Sequence, residues 1–326
     1  MKSELLKVLR QADDYVSGQQ LCSRFGVSRT AVWKAIRQLQ EAGYEIDAVN
    51  NRGYRLLSAP DLLTPEEIRS RLHTGFMGQN CICLESVDST NNYVKKLAEN
   101  GAEEGMLVLA EEQTGGKGRR GRVWETPKGK NIAMSLLLRP KIHPAHASQL
   151  TLLMAMAVGE AIRSCTGLEA GIKWPNDVVV NDRKICGILT EMNTEVDYIN
   201  YVVIGTGINV NQQEFPEELR EIAGSLRQNL GKETGRAAIV AASMDEMERL
   251  YDIFRKTEDL SALKDDYNRC CVNRGHGIRV MERGEAYTGT TEGINDHGEL
   301  VVCKDSGEEV LVYAGEVSVR GLYGYT

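Results

Sequence analysis

The sequence predicts an α+β protein in three parts. They are an N-terminal winged helix-turn-helix, a central domain built on a mixed α/β sheet, and a small C-terminal all-β domain. Three observations carry this. Two short helical patterns joined by a glycine open the chain, long helical patterns then alternate with short apolar runs, and from Gly275 only short strand patterns and turns remain. At 326 residues the length is that of two or three domains. Boundaries are expected at 1–60, 64–272 and 275–326.

Residues 16–25 read as a short helix that Gly26 ends. Ser28 is a good N-cap, and Ala31, Val32, Ala35, Ile36 and Leu39 then recur at helical spacing. Helix, tight glycine turn and second helix make a helix-turn-helix. In such a motif the second helix enters the major groove and its first residues read bases. This assigns Ser28, Arg29, Thr30, Trp33, Lys34 and Arg37 to DNA, with a core position as the second reading of Trp33. Strand patterns at 43–46 and 54–56 flank the turn Asn50-Asn51-Arg52-Gly53 and form a wing, which puts Arg52 and Arg55 toward phosphates. Charge supports an appended module: residues 1–60 carry 9 − 6 = +3, the remainder 30 − 40 = −10. A protein-interaction module is the competing reading.

Pro60 and Pro65 mark a linker across which few contacts are expected, and proline suits the first position of the helix that follows. Helices are expected at 91–99, 147–165 and 236–255. The middle one is apolar nearly all round and should be buried. Strands are expected at 106–110, 132–138, 171–172 and 178–180, with Asn181-Asp182 turning the chain. Segment 212–224 is polar, contains a proline and reads as a mobile loop. Strands at 278–282, 286–291, 299–304 and 309–313 complete the chain.

The most informative stretch is Gln113-Thr-Gly-Gly-Lys-Gly-Arg-Arg-Gly-Arg122, closed by Trp124. Glycines let backbone approach a ligand, and successive N–H groups form an anion-binding concavity. Lys117, Arg119, Arg120, Arg122 and Lys128 add charge-assisted hydrogen bonds. An anionic ligand, a nucleotide first, suits this composition; a solvated basic hairpin is the alternative. Gly116-x-Gly118-x-x-Gly121 matches a dinucleotide fingerprint by letter, but a strand rather than a helix follows it, and no phosphate-loop lysine motif is present.

Four further segments stand in a fixed order with this loop: Glu85-Ser-Val-Asp88-Ser89-Thr90-Asn91, Lys173-Trp-Pro-Asn-Asp177, Arg183-Lys184-Ile-Cys-Gly187 and Ile204-Gly-Thr-Gly207-Ile-Asn209. Together they resemble the biotin protein ligase family, and the N-terminal module makes the chain similar to its bifunctional form, a ligase that is also the biotin operon repressor. The resemblance covers nearly the whole chain. It implies a central fold related to class II aminoacyl-tRNA synthetases and an SH3-like C-terminal barrel. It implies biotin and ATP as substrates, Mg²⁺ with the ATP, biotinyl-5′-AMP as intermediate and corepressor, a biotin carboxyl carrier protein as acceptor, operator DNA, and a homodimer when the adenylate is bound.

The resemblance assigns Ser89, Thr90, Asn91, Gln113, Lys117, Gly118, Arg119 and Lys184 to biotin. Gly116, Lys117, Arg119, Arg122, Trp124, Asn176 and Asn209 go to the adenylate. Lys184, Arg119 and Asp177 are the catalytic candidates. Trp124 either folds over the ligand or fills the core behind the loop, and Asp177 either handles the incoming lysine or caps a turn. Metal ligands are undefined. Lys117 departs from the arginine common at this position, keeping the charge but losing the fork.

Composition fits a cytoplasmic enzyme. The hydrophobic fraction is 42%, no run of about twenty apolar residues suggests a membrane span, and the acidic N-terminus argues against a secretory signal. The eight cysteines have no zinc spacing, so they read as thiols, mostly buried. His143 and His146 read as surface loop. A pure effector-binding transcription factor would not need Lys184 with the Asp177 motif. A lipoate ligase would lack this arginine loop and the N-terminal module.

Overall fold

A computed structural model describes residues 1–282, 285–314, 318–321 and 325. The N-terminal segment gains a helix that sequence reading left unassigned, α1 (Lys2–Gln11), which buries Leu5, Leu6 and Leu9. Helix α2 (Gly18–Phe25) begins two residues later than expected. Val16 is engaged in a bridge to Tyr54, and Ser17 forms a capping box with Gln20. Gly26 ends it at a φ of 64°, where glycine carries no Cβ penalty. Ser28 caps α3 (Arg29–Glu41), which turns Val32, Ala35, Ile36 and Leu39 onto the leucines of α1. Trp33 is 53% exposed, so it is not a core residue. Strands β1 (Glu45–Val49) and β2 (Gly53–Ser58) pair antiparallel as the wing.

The central domain contains α4 (Pro65–Arg69), β3 (Cys81–Val87), α5 (Thr90–Glu99), β4 (Leu107–Gln113), β5 (Ile132–Leu138), α6 (Gln149–Thr166), β6 (Gly171–Lys173), β7 (Asp177–Val180), β8 (Arg183–Thr194), β9 (Ile199–Ile208), α7 (Leu226–Leu230), α8 (Arg236–Thr257) and α9 (Lys264–Cys270). Its sheet runs β3-β4-β5-β9-β8-β7-β6. Only β3 and β4 are parallel neighbours. Both faces are covered, so strand alternation divides the apolar residues between two cores. Leu107, Leu109, Met134 and Leu136 face the core shared with α6 and α8, while Val108, Leu137 and Val203 face Val94 and Ala98 of α5. That is why all seven residues of β5 are buried. The expected buried helix is α6, which inters Leu150, Leu153, Val158 and Ile162.

Strands β10 (Gly277–Glu282), β11 (Glu285–Ile294), β12 (Leu300–Lys304), β13 (Glu309–Val312) and β14 (Ser318–Gly321) form an antiparallel sheet in the order β13-β12-β11-β10-β14. Ile278, Val280, Leu300 and Val302 pack into the same core as α6 and α8. The Trp174 indole donates to the Gly298 carbonyl at 3.0 Å and its backbone N–H to Asn273 at 2.8 Å, which docks this sheet on the central one. Among the described residues no helix is long and apolar enough to cross a membrane. None of the eight cysteines is in a disulfide. Cys81, Cys186 and Cys271 are buried, whereas Cys165 is exposed, so burial is less general than expected.

The linker is not the contact-poor boundary that its prolines suggest. Glu67, 1% exposed, accepts from Arg10 of α1 at 2.5 and 2.7 Å, from Arg71 at 2.7 Å and from the Tyr44 hydroxyl at 2.7 Å. Arg236, 2% exposed, binds Asp61 of the linker at 2.8 Å and Glu111 of β4 at 2.6 Å. Proline stops a helix, but it does not stop a neighbouring carboxylate from turning inward, and a buried charge must then be paired. Glu67→Ala strands two guanidinium groups and should lower stability by about 3 kcal/mol. Glu66→Ala removes only the half-exposed pair with Lys2 and should cost under about 1 kcal/mol. Urea midpoints of the two variants check this; equal midpoints would refute the assignment.

Candidate functional site

Two adjoining cavities open at the carboxyl end of β4, on the side where β8 and β9 carry glycine. The inner cavity is lined by Ser89, Thr90, Asn91, Gln113, Lys117, Gly118, Arg119, Trp124, Asn176 and Lys184. The three residues at the start of α5 are buried, yet polar. Their groups are met in a chain. Gln113 Oε1 accepts from the Thr90 N–H at 2.9 Å, and Ser135 Oγ lies 2.7 Å from Thr90 Oγ1 and 2.6 Å from Asn91 Oδ1. The Asn91 amide donates to Glu191 at 2.8 Å, and Lys95 holds the same carboxylate at 2.5 Å. Burial would raise the Glu191 carboxyl, but hydrogen bonds from Lys95 and Asn91 bring it below its ordinary value.

The glycine loop folds back as an extension of β4. Gly118 N–H donates to the Arg122 carbonyl at 2.7 Å and Trp124 N–H to Gly116 at 3.0 Å, around a tight turn at Arg119–Gly121. Arg120 stands at a φ of 59° at the tip of that turn. Gly116 lines neither cavity. A Cβ there would lie 2.3 Å from the Trp124 carbonyl, so its role is close backbone approach. Arg119 reaches across to Asn176 Oδ1 at 2.9 Å and to the Ala314 carbonyl at 3.2 Å. Burial lowers its pKa, and Asp177 opposes this. Trp124 does not fill a core behind the loop. Its ring lies in the inner cavity, against Gly207 and Gly187, and its indole N–H has no partner there.

Lys184 and Asp177 sit on neighbouring strands, joined by the tight turn at Asn181 and Asp182, both at positive φ. Lys184 Nζ is 2.6 Å from Asp177 Oδ1, without the alignment of a good hydrogen bond. The same ammonium lies 5.6 Å from the Trp124 ring centre. The second Asp177 oxygen accepts from the Tyr325 hydroxyl at 2.5 Å. These two contacts, rather than a turn cap, engage its carboxylate.

The outer, larger cavity is lined by Arg119, Arg122, Trp124, Asn176, Asp177, Lys184 and Asn209, with segment 212–224 as its far wall. The end of that segment pairs with the start of β8: Lys184 N–H donates to the Ile222 carbonyl at 2.7 Å and Gly224 N–H to the Lys184 carbonyl at 3.0 Å. Asn209 donates to the Gly224 carbonyl at 3.1 Å and so holds the segment from behind.

The second candidate surface is α3 with the wing. Ser28 is used as the N-cap, and Arg29 donates to Gln19. Thr30, Trp33, Lys34 and Arg37 are exposed, with the Arg37 guanidinium 5.4 Å from the Trp33 ring centre. Arg52 lies over Tyr15 and pairs with Asp14 at 3.0 Å, an exposed and therefore readily exchanged ion pair.

Comparison with known proteins reads the same segments together. Residues 83–209 match the Biotin/lipoate A/B protein ligase family, 2–55 an HTH domain and 275–320 the Biotin protein ligase C terminal domain. The Bifunctional ligase/repressor BirA of Bacillus spizizenii is 39% identical over 98% of both chains. The protein of the same name from Escherichia coli is 29% identical over 94% of both. The chain belongs to the bifunctional biotin ligase/repressor family. A biotin protein ligase from Aquifex aeolicus, solved with biotin and ATP, superposes with a TM-score of 0.66 at 28% identity, covering 74% of this chain and 99% of its own.

Several residues of this biotin ligase fold escaped sequence reading. Ser135 is a hydroxyl inside an otherwise apolar strand, a signal that was there to be used. Glycines 187, 205 and 207 were visible within their motifs, but their purpose was not. A Cβ at Gly205 would lie 2.2 Å from Asn91 Oδ1, and one at Gly207 2.3 Å from the Trp124 ring. Only tertiary pairing reveals such contacts. Gly207→Ala should therefore expel Trp124 from its seat. The expected readout is a red-shifted tryptophan emission that is lost when Trp124→Phe is added. Unchanged emission would place the ring elsewhere.

Proposed function

We propose that the protein joins biotin to ATP, forming biotinyl-5′-AMP and pyrophosphate, and then passes biotin to a lysine of a biotin carboxyl carrier protein. We infer that the same cytoplasmic chain binds operator DNA through α3 and the wing, with biotinyl-5′-AMP as corepressor. One observation carries the reading. A polar pocket sized by glycines opens directly onto a cavity ringed by Arg119, Arg122 and Lys184, which suits one ligand with a polar ring at one end and a phosphate at the other.

In the first step the biotin carboxylate oxygen attacks the α-phosphorus, and the bond to pyrophosphate breaks. No base is needed, because a carboxylate is already ionised. What is needed is alignment and neutralisation of charge. Lys184 and Arg119 supply this by exchanging partners: Lys184 gives up Asp177, and Arg119 gives up Asn176, for ligand oxygens. In the second step the carrier amine attacks the acyl carbon and AMP leaves. Asp177, which Lys184 contacts in the free chain, takes the amine proton once Lys184 has turned to the ligand. Ser89, Thr90, Asn91 and Gln113 hold the ureido ring, Lys117 and Gly118 the loop side of biotin, and Arg122, Trp124, Asn176 and Asn209 the adenylate side, with Gly116 serving only the close fold of the loop on itself. Among the described residues no group of three or more His, Cys, Asp or Glu is arranged to hold a metal. Mg²⁺ is expected to accompany the ATP, and no step is routed through it.

Biotin-dependent exchange of pyrophosphate into ATP tests the ligase. Lys184→Gln, which keeps a donor beside Asp177, should lose about a hundredfold in exchange with a melting temperature near wild type. Arg119→Gly should release biotinyl-5′-AMP about tenfold to a hundredfold faster, through loss of one charge-assisted contact. Exchange at the wild-type rate in Lys184→Gln would remove that residue from the chemistry.

A module of charge +3 binds an operator weakly, so two linked modules are required. The adenylate is expected to drive a two-fold homodimer by ordering the glycine loop. Sedimentation velocity should show monomer without adenylate and dimer with it. A monomer that still occupies operator DNA at the same concentration would sink this mechanism.

A further inference from the structure

Both oxygens of Asp177 are engaged in the free protein, one by Lys184 and the other by Tyr325. The first engagement ends when ligand phosphate draws Lys184 away. The second does not, because Tyr325 is neutral and carries nothing to attract it to the adenylate. Burial and the neighbouring Asp177 charge push the Tyr325 hydroxyl far above its ordinary pKa, so it stays a donor throughout the working pH range. Its seat is also built. The Lys173 ammonium lies 3.4 Å from the Tyr325 ring centre and donates to the Tyr325 carbonyl, and Lys173 is only 5% exposed. Tyr325 is thus held at ring, carbonyl and hydroxyl, in the wall of the outer cavity.

We propose that Tyr325 guards the acceptor carboxylate: Asp177 Oδ1 is fully buried, so an incoming lysine amine must reach Oδ2, which the Tyr325 hydroxyl occupies, and the carrier protein competes with Tyr325 for that position. The proposal rests on the ligase reading above and deepens its second step. An amine and a phenol make equivalent demands on a carboxylate, as each donates one hydrogen bond. The lysine arrives as an ammonium, which adds charge; it gives its proton to the carboxylate and attacks as the neutral amine, so it displaces the phenol once a folded carrier presents it. Free lysine or water, lacking the carrier's contacts, gains too little to do so. The device therefore favours transfer to a docked protein over loss of the adenylate to other nucleophiles.

The test uses Tyr325→Phe, which keeps the ring over Lys173, and Tyr325→Ala, which does not. Full-length protein is loaded with biotinyl-5′-AMP and mixed with a purified biotin carboxyl carrier domain, and single-turnover transfer is followed against carrier concentration. Pyrophosphate exchange is measured in parallel as the control for loading. The expected result is exchange within about twofold of wild type. The half-saturating carrier concentration should fall roughly tenfold to a hundredfold in both variants, the order of one charge-assisted hydrogen bond. The maximal rate should be unchanged or higher, and labelling of free lysine should rise. Normal exchange with unchanged half-saturation overturns the guard alone. A lower maximal rate in Tyr325→Phe also overturns it, because the hydroxyl would then assist transfer. Absence of exchange in the wild-type protein overturns the ligase reading, and the guard with it.

Discussion

The site depends on a floor without side chains. Strands β8 and β9 present Gly187, Gly205 and Gly207 to the cavity, and each is approached within van der Waals contact by a functional side chain, Lys184, Asn91 or Trp124. A single methyl at Gly205 or Gly207 would overlap those atoms outright. The cost is intrinsic, since glycine weakens a strand by losing packing and adding unfolded-state freedom. The sheet absorbs it because β8 and β9 are paired along nearly their whole length and lie between other strands. The inner pocket is therefore a gap left in a strong pairing, whereas the outer cavity is closed in part by Gly321 and Tyr325 of the C-terminal region.

On that floor the free protein balances its charges internally. Lys184 faces Asp177 and Lys95 faces Glu191, while the Arg119 guanidinium is held by the neutral Asn176 amide near Asp177. Such pairing limits the penalty of holding cations in a half-buried site. Under the proposed function, an anionic ligand would be bound by exchange of partners rather than by occupation of bare charges. In the proposed mechanism the Asp177–Lys184 exchange links the two halves of the reaction, since the cation that would leave to meet phosphate would uncover the carboxylate proposed to meet an amine.

The N-terminal module shares in this arrangement. Arg236 ties Asp61 of the linker to Glu111, and Glu111 lies two residues before Gln113 on the same face of β4. Gln113 in turn holds Thr90. Linker and pocket are thus attached to one rigid strand. Glu67 adds a second fastening, to α1 through Arg10 and to the end of α3 through Tyr44. A hinge built in this way moves only at the expense of buried, hydrogen-bonded charge.

The sequence by itself determined whatever is local or periodic. The helix-turn-helix was legible because Ser28 caps, Gly26 turns and Val32, Ala35, Ile36 and Leu39 repeat at helical spacing. The cavity residues Ser89, Thr90, Asn91, Gln113, Arg119 and Lys184 were legible because their motifs are contiguous and their order is distinctive. The composition of the loop announced an anion. What the chain could not state was long-range. The meeting of Asn91 with Gly205, the seat of Trp124 on Gly207, the docking of 212–224 along β8, the inward turn of Glu67 and Asp61, and the placing of Tyr325 on Asp177 all join segments far apart in sequence. No propensity encodes such contacts. They are fixed by strand register and by the requirement that every buried charge find a partner, and both are settled only when the sheet has formed.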